Sequence, residues 1–152
     1  MIKNDCLSKN VYLADDDEDD RSFFQDALNE VCRDTNLTIA KNGLELMDIL
    51  DKPPVPMPDV IFLDLNMPAK NGFQCLEEIK KNEKLKKLPI VIFSTTLQEE
   101  AVDTVYKQGA NFYICKPSNF GQLKRTLKKV LSIDWLKEVE QTSKEQFIIS
   151  VA

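Results

Sequence analysis

The sequence predicts an α/β fold in which a five-stranded parallel sheet carries helices on both faces. Short apolar runs alternate along the chain with segments whose apolar residues recur at helical spacing. The clearest run, residues 60–63, is apolar without alternation and lies between Pro58 and Pro68, as expected of a strand buried on both faces. With 152 residues and 43% apolar content, the chain can form one domain with a normal core.

Each predicted element has its own local signal. The predicted strands are residues 10–14, 37–40, 60–63, 89–93 and 111–115. Asn42 and Asn71 can cap the second and third helices. Thr96 with Glu99 three residues later predicts a capping box for the fourth helix, and Ser118 can cap the fifth. Because right-handed crossovers connect parallel strands, all carboxyl ends lie at one edge of the sheet.

Composition narrows the class of protein. The chain carries 20 Lys and Arg against 25 Asp and Glu, a net charge of −5, so we expect neither nucleic acid nor an anionic membrane as a partner. It shows neither the apolar core of a signal peptide nor the roughly 18 apolar residues of a membrane span. We therefore expect a cytoplasmic protein. The four cysteines lack metal-site spacing, and we expect reduced, packed thiols.

Polar residues follow four of the predicted strands. Asp15 and Asp16 follow the first strand, Asp64 the third, Ser94 the fourth and Lys116 the fifth. These residues should meet at one edge of the sheet. Carboxylates about 4 Å apart repel by about 4 kcal/mol per pair at an effective dielectric of about 20. Either partial protonation or a hard divalent cation such as Mg²⁺ must compensate.

These side chains together suit phosphoryl chemistry. With a cation beside it, Asp64 could attack phosphorus and become an aspartyl phosphate. Lys116 would supply a second positive charge, and Ser94, or less readily Thr95, a hydroxyl donor. The chain contains no histidine to act as a base, and carboxylate attack needs none.

The order of these residues resembles the receiver domain of two-component response regulators, of the single-domain chemotaxis type. The resemblance covers roughly residues 10–131. It rests on Asp15-Asp16, residues 64–68 (Asp-Leu-Asn-Met-Pro), Ser94, Tyr113 and Lys116-Pro117. It implies a doubly wound, flavodoxin-like sheet with strand order 2-1-3-4-5, an order that comes from the family and not from the spacing.

The resemblance also implies roles for individual residues. Asp64 is the implied phosphoacceptor. Asp16, Asp64 and the main-chain carbonyl of Asn66 are the implied Mg²⁺ ligands, with Asp15 contributing through water. Lys116 is expected to contact the phosphoryl group.

In the family, a switch follows phosphorylation. Ser94 and Tyr113 would form the switch pair: Ser94 moves toward the phosphoryl oxygens and Tyr113 turns inward. The implied partners are a sensor histidine kinase or phosphotransfer protein, and a downstream protein at the face of the fourth helix, fifth strand and fifth helix. The chain would then be a signalling domain and not an enzyme, with self-catalysed phosphotransfer and dephosphorylation.

Three other classes of function remain as alternatives. A phosphatase of the haloacid dehalogenase type would use Asp15 as nucleophile and needs an acidic pair after Lys116, where Ser118-Asn119 stands. A calcium loop starting at Asp15 would need Gly at position 20 and Glu at position 26, and both are Asp. The third alternative is a receiver-like scaffold that binds partners without phosphate.

The last residues are predicted to extend the domain. We expect a receiver domain over residues 1–132 and a C-terminal extension over 133–152, with no output domain. Ser132 could cap a short helix carrying Ile133, Leu136 and Val139. The apolar run 147–149 is expected to pack back on the domain; a partner or self-association contact is the alternative. The basic residues of the last helix form a solvated face or dock an acidic partner; these are Lys124, Arg125, Lys128 and Lys129.

Overall fold

The computed structural model describes residues 6–52, 57–135 and 143–149. The strands are β1 (Asn10–Ala14), β2 (Asn36–Ala40), β3 (Val60–Leu63), β4 (Ile90–Ser94), β5 (Phe112–Cys115) and β6 (Ile148–Ile149). The helices are α1 (Glu18–Val31), α2 (Gly43–Asp51), α3 (Gly72–Lys81), α4 (Glu99–Lys107), α5 (Phe120–Leu131) and α6 (Lys144–Phe147). None of the helices in these ranges is both long and apolar enough to cross a membrane.

All strands belong to one parallel sheet with the order β2-β1-β3-β4-β5-β6. The predicted α/β class and the order of the first five strands are confirmed. The sheet has one strand more than predicted, because the short β6 pairs beside β5. Five strands were expected since Ile148 and Ile149 are too short a run for a strand period to be read.

The core lies in two layers, one on each face of the sheet. Along β1, Val11 and Leu13 face the layer beneath α1 and α5, whereas Tyr12 and Ala14 face the layer beneath α2, α3 and α4. This alternation follows from the period of two in a strand. Three rings pack edge to face in the α1 and α5 layer, with centroids 5.0, 5.5 and 6.1 Å apart: Phe24, Phe62 and Phe93. Helices therefore cover both faces, as predicted.

Two predicted helix caps are present. The Asn42 side chain accepts a hydrogen bond from the Glu45 amide at 2.8 Å. Asn71 and Gln74 form a complete capping box at the start of α3. Since α3 follows Asp64 closely in sequence, this cap fixes the backbone that leads away from the predicted phosphoacceptor.

The other two predicted caps are wrong. Gln98 has an extended backbone, so α4 begins at Glu99 and no side chain caps it. Thr96 lies too far from the first turn to act as predicted. At the last helix, Asn119 and not Ser118 accepts the capping hydrogen bond, from the Gln122 amide at 2.9 Å. Both residues are good caps, and the backbone turns into the helix one position later than predicted.

The N-terminal segment corrects the prediction of four reduced thiols. Cys6 and Cys32 form a disulfide, with Cα atoms 5.9 Å apart. The amides of Leu7 and Ser8 donate to the carbonyl of Leu131, which holds the segment beside the ends of α1 and α5. This pairing depends on where the segment docks, which the separation of 26 residues did not reveal.

The apolar run 147–149 packs back on the domain, as expected. Phe147 is fully buried, and Ile149 is nearly so. The predicted helix after Ser132 does not begin at Ile133, which lies outside any helix. Leu136 and Val139, its other predicted members, lie outside the described residues.

Candidate phosphoacceptor and metal site

Neighbouring strands bring Asp15 and Asp64 together. Ala14 and Leu63 are register partners in β1 and β3, so the residues that follow them, Asp15 and Asp64, emerge side by side. The Asp64 amide continues the ladder by donating to the Ala14 carbonyl at 3.0 Å. Asp16 completes the cluster: one carboxylate oxygen from each of the three acids lies within 4.8 Å of the others. The structure thus places the three predicted carboxylates at one point of the sheet edge.

Lys116 reaches this cluster from the end of β5. Its Nζ lies 2.8 Å from Asp15 Oδ2 and 3.2 Å from Asp64 Oδ2. It also lies 2.8 Å from Asp20 Oδ2, and 5.7 Å from the centre of the Phe93 ring. The predicted meeting of Lys116 with the strand-end acids is therefore present.

Asp20 is a site contact that the sequence did not reveal. It lies in the first turn of α1, where an acid is explained by the charge preference of a helix amino terminus. Its neighbours Glu18 and Asp19 carry the same charge and are exposed. Asp20 differs from Glu18 and Asp19 only in that its side chain is directed toward Lys116.

Burial shapes the charge balance of the site. Burial raises the pKa of the Asp15 carboxyl, and the hydrogen bond and charge of Lys116 only partly offset it. Burial likewise raises the pKa of Asp64, opposed by Lys116 and reinforced by Asp15. For Lys116, burial alone lowers the pKa, but the carboxylates around it, Asp15 and Asp20 foremost, raise it above the usual value. The site therefore holds more negative charge than one ammonium group can compensate.

The donor set suits a hard divalent cation. All the clustered ligand atoms are carboxylate oxygens, which Mg²⁺ prefers, and Asp16 is exposed, so the cluster is open to water. Asp15 Oδ2 is fully buried and, apart from the ion pair with Lys116, has no hydrogen bond of good geometry within the described residues. Such an atom can accept a bond from a water molecule that a cation holds. The residues present fit a magnesium ion.

Ser94 and Tyr113 meet at the backbone of Thr96. The Ser94 hydroxyl is fully buried and accepts a hydrogen bond from the Thr96 amide at 3.3 Å. The Tyr113 hydroxyl donates to the Thr96 carbonyl oxygen, and the ring is fully buried. Burial raises the pKa of Tyr113, and the Ser94 side chain, within hydrogen-bond reach, lowers it in part. The two predicted switch residues are thus in contact with one segment of backbone, with Tyr113 turned inward.

Asn66 lies on the exposed loop after Asp64. Its side-chain amide donates to the Thr96 hydroxyl at 3.5 Å, so the side chain spans the loops after β3 and β4. The side chain is directed toward Thr96. The metal role that the sequence resemblance implies for the main-chain carbonyl of Asn66 stays a prediction. Ala69, three residues later, has a positive φ of 68°, which marks a tight turn before α3.

Comparison with known proteins agrees with this geometry. The family model described as the response regulator receiver domain matches residues 11–128. The response regulator Rcp1 of Synechocystis sp. (strain ATCC 27184 / PCC 6803 / Kazusa) is 33% identical over 135 residues, which cover 86% of this chain and 91% of Rcp1. The family match over residues 11–128 extends past the predicted site, which runs from Asp15 to Lys116, at both ends.

Solved structures give the same result. The phosphorylated cyanobacterial phytochrome response regulator RcpA superposes with a TM-score of 0.77 and 32% identity, covering 89% of this chain and 99% of that one. The Mn²⁺-bound form of Rcp1 gives a TM-score of 0.74 at 32% identity, with the same coverage. The residues at the sheet edge, the fold and the family match therefore agree that this chain belongs to the response regulator receiver family.

Proposed function

We propose that this chain is a stand-alone cytoplasmic receiver that accepts a phosphoryl group on Asp64, in the presence of Mg²⁺, from a histidine kinase or a phosphotransfer protein. The observation that carries the choice of Asp64 is that it combines access to solvent with an ion pair to Lys116, at 3.2 Å, whereas the more exposed Asp16 forms no ion pair with Lys116 within the described residues. The Asp64 side chain is 9% exposed, whereas that of Asp15 is 0% exposed. A phosphodonor can reach the first carboxylate and not the second.

The transfer itself needs little from the protein beyond placement and charge. One oxygen of the Asp64 carboxylate attacks phosphorus while the bond from phosphorus to the donor nitrogen breaks, and the leaving imidazole takes up a proton. The Leu65 amide donates to Asp64 Oδ1 at 2.8 Å, which fixes that oxygen and leaves Oδ2 to react. Lys116 Nζ lies beside Oδ2 and would bind an oxygen of the incoming group.

Four groups would hold Mg²⁺ in this proposal. They are the carboxylates of Asp16 and Asp64, the main-chain carbonyl of Asn66, and Asp15 through water. When bound, the ion would neutralise negative charge on the phosphoryl oxygens. Its positive charge would also compensate the carboxylate charge that Lys116 alone does not balance.

Ser94 and Tyr113 would carry the signal outward. The Ser94 hydroxyl would turn from the Thr96 amide to a phosphoryl oxygen, and Tyr113 is bound to the same Thr96. The surface formed by α4, β5 and α5, here called the output face, would then bind a downstream protein. In this proposal residues 1–132 are the receiver and residues 133–152 an extension of it, and the signal passes through contacts with another protein.

The proposal is tested by intact mass after incubation with acetyl phosphate and Mg²⁺. We expect an adduct of one phosphoryl group on the parent chain and none on Asp64→Asn. Asp19→Asn, a neutralised acid of the same block on the exposed side of α1, is the matched control and should label like the parent.

Two results would contradict the proposal. Undiminished labelling of Asp64→Asn would remove Asp64 as the acceptor. Many turnovers of a phosphomonoester, in place of a single stoichiometric adduct, would favour the phosphatase alternative.

A further inference from the structure

The C-terminal segment, residues 143–149, occupies the centre of the output face. Ile148 and Ile149 pair in parallel with Tyr113 and Ile114 of β5. Lys144 forms an ion pair of 2.5 Å with Asp103 of α4, which ties the start of the segment to the neighbouring helix. The segment therefore lies along the edge of the strand that carries the proposed switch tyrosine.

Within this segment, Phe147 closes the Tyr113 pocket. The Phe147 ring is fully buried, with its centroid 6.2 Å from the Tyr113 ring and 5.0 Å from the Tyr106 ring of α4. Tyr113 is itself fully buried and bound at its far end to the Thr96 carbonyl. Since Phe147 covers it from the side of β6, the Tyr113 ring can turn outward only if Phe147 leaves.

We propose that the docking of residues 143–149 is coupled to the inward position of Tyr113 and, through it, to phosphorylation of Asp64. The link between Tyr113 and phosphorylation of Asp64 rests on the proposed function, whereas the link between residues 143–149 and Tyr113 does not. Docking of residues 143–149 requires the inward position of the Tyr113 ring, and phosphorylation favours that same position. Docking and phosphorylation must then favour each other by the same factor, because coupling between two equilibria is reciprocal.

The coupling has a defined direction. Phosphorylation tightens the C-terminal segment onto β5 and does not release it. A downstream protein that recognises the phosphorylated form then meets a composite surface, in which Ile148, 45% exposed, stands over the covered edge of β5. Loss of the Phe147 ring should loosen the segment, free Tyr113 and lower the fraction of chain that carries phosphate.

The first measurement uses unphosphorylated protein. With 3-fluorotyrosine in place of tyrosine, ¹⁹F NMR reports the surroundings of Tyr113, its signal assigned by Tyr113→Phe. Phe147→Ala should move this signal toward that of a solvent-exposed ring. Ile148→Ala, in the same segment but at a residue that is 45% exposed, is the matched control and should leave the signal in place. Phe147→Leu, which keeps most of the apolar volume, replaces the alanine variant if that fails to fold.

The second measurement follows amide hydrogen exchange in residues 143–149, with the adduct quantified by intact mass in the same samples. We expect exchange to slow by about fivefold or more on labelling with acetyl phosphate and Mg²⁺, the low end of common couplings. Phe147→Ala should abolish the slowing, whereas Ile148→Ala should retain it.

The outcomes separate the inference from the proposed function. An adduct on Asp64 with unchanged or faster exchange in the segment overturns the inference and leaves the proposed function standing. Absence of any adduct overturns the proposed function, and the fluorine spectra still decide the link between Phe147 and Tyr113. A Tyr113 signal that does not move in Phe147→Ala overturns that link.

Discussion

Gly72 lies where the start of α3 passes against the backbone of the phosphoacceptor loop. A Cβ at this position would stand 2.3 Å from the Asp64 carbonyl oxygen and 2.8 Å from the Leu65 Cα. Its amide also donates to the Leu65 carbonyl at 3.0 Å, so the two segments are already joined. Gly72→Ala must therefore push the Asp64 backbone away or break this contact.

The size of the effect follows from these distances. The Cβ contact with the Asp64 carbonyl must open from 2.3 Å to beyond 3.0 Å, and the opposing atoms are backbone, which cannot rotate away. Overpacking of this kind costs about 1–3 kcal/mol of unfolding free energy. Helix propensity alone predicts the reverse, a gain of up to about 1 kcal/mol. The two effects have opposite signs, so the experiment can tell them apart.

Gly121→Ala in α5 is the matched control. There the nearest atoms to a new Cβ are side-chain ends, Asn119 Oδ1 at 3.1 Å and Arg125 Nη1 at 3.5 Å. A shift of a few tenths of an ångström in the Asn119 side chain, small enough to keep its capping hydrogen bond to the Gln122 amide, makes room for the Cβ. Urea unfolding followed by circular dichroism should show Gly72→Ala less stable than the parent and Gly121→Ala equal or more stable. Labelling of Asp64 should slow by about tenfold or more in Gly72→Ala alone, because small displacements of a reacting group are costly. Equal stability and labelling of the two variants would refute this reasoning.

Three further predictions concern the site and the disulfide. Because burial raises the pKa of Asp64, its charged form weakens the fold at neutral pH, so Asp64→Asn should be more stable than the parent at pH 7. This advantage should vanish as the pH falls toward 3.8 in parallel urea titrations; an advantage that grows would contradict it. Lys116→Met should bind Mg²⁺ more tightly by calorimetry, since ammonium and cation share the same carboxylates; weaker binding would refute that competition. Thiol titration of the unreduced, denatured chain should find two free thiols, and Cys32→Ser should cost about 3 kcal/mol through loss of the Cys6 bridge; four thiols would rule the bridge out.

The sheet and its acidic edge could be predicted because each signal is local. The apolar runs end abruptly at Asp15, Asp64 and Lys116, and parallel topology then brings these residues together regardless of sequence distance. The structure shows the meeting of these side chains; their roles in phosphoryl transfer remain predictions.

Other features depend on contacts that no local pattern records. Asp20 differs from the neighbouring acids only in facing Lys116. The choice of Asn119 over Ser118 as a cap depends on where the chain leaves β5, since the two side chains are equally suited. The disulfide depends on docking of the N-terminal segment beside α1.

The sixth strand was missed for a related reason. Two residues cannot show an alternation, and a run such as Phe-Ile-Ile fits a helix end as well as a strand. What makes it a strand is the unpaired edge of β5, a feature of the folded sheet. The sequence could therefore predict that Phe147 packs back, but not that its neighbours would pair.

The position of β6 has a consequence for how the molecule behaves at high concentration. An uncovered edge strand offers its amides and carbonyls to other molecules and invites aggregation, and Ile148 and Ile149 occupy those groups on β5. A chain cut before residue 143 would present an apolar strand, with the place of Phe147 empty beside it. Solubility and signalling would then depend on the same residues, 147–149. A substitution among them can therefore lower the yield of soluble protein as well as change the output.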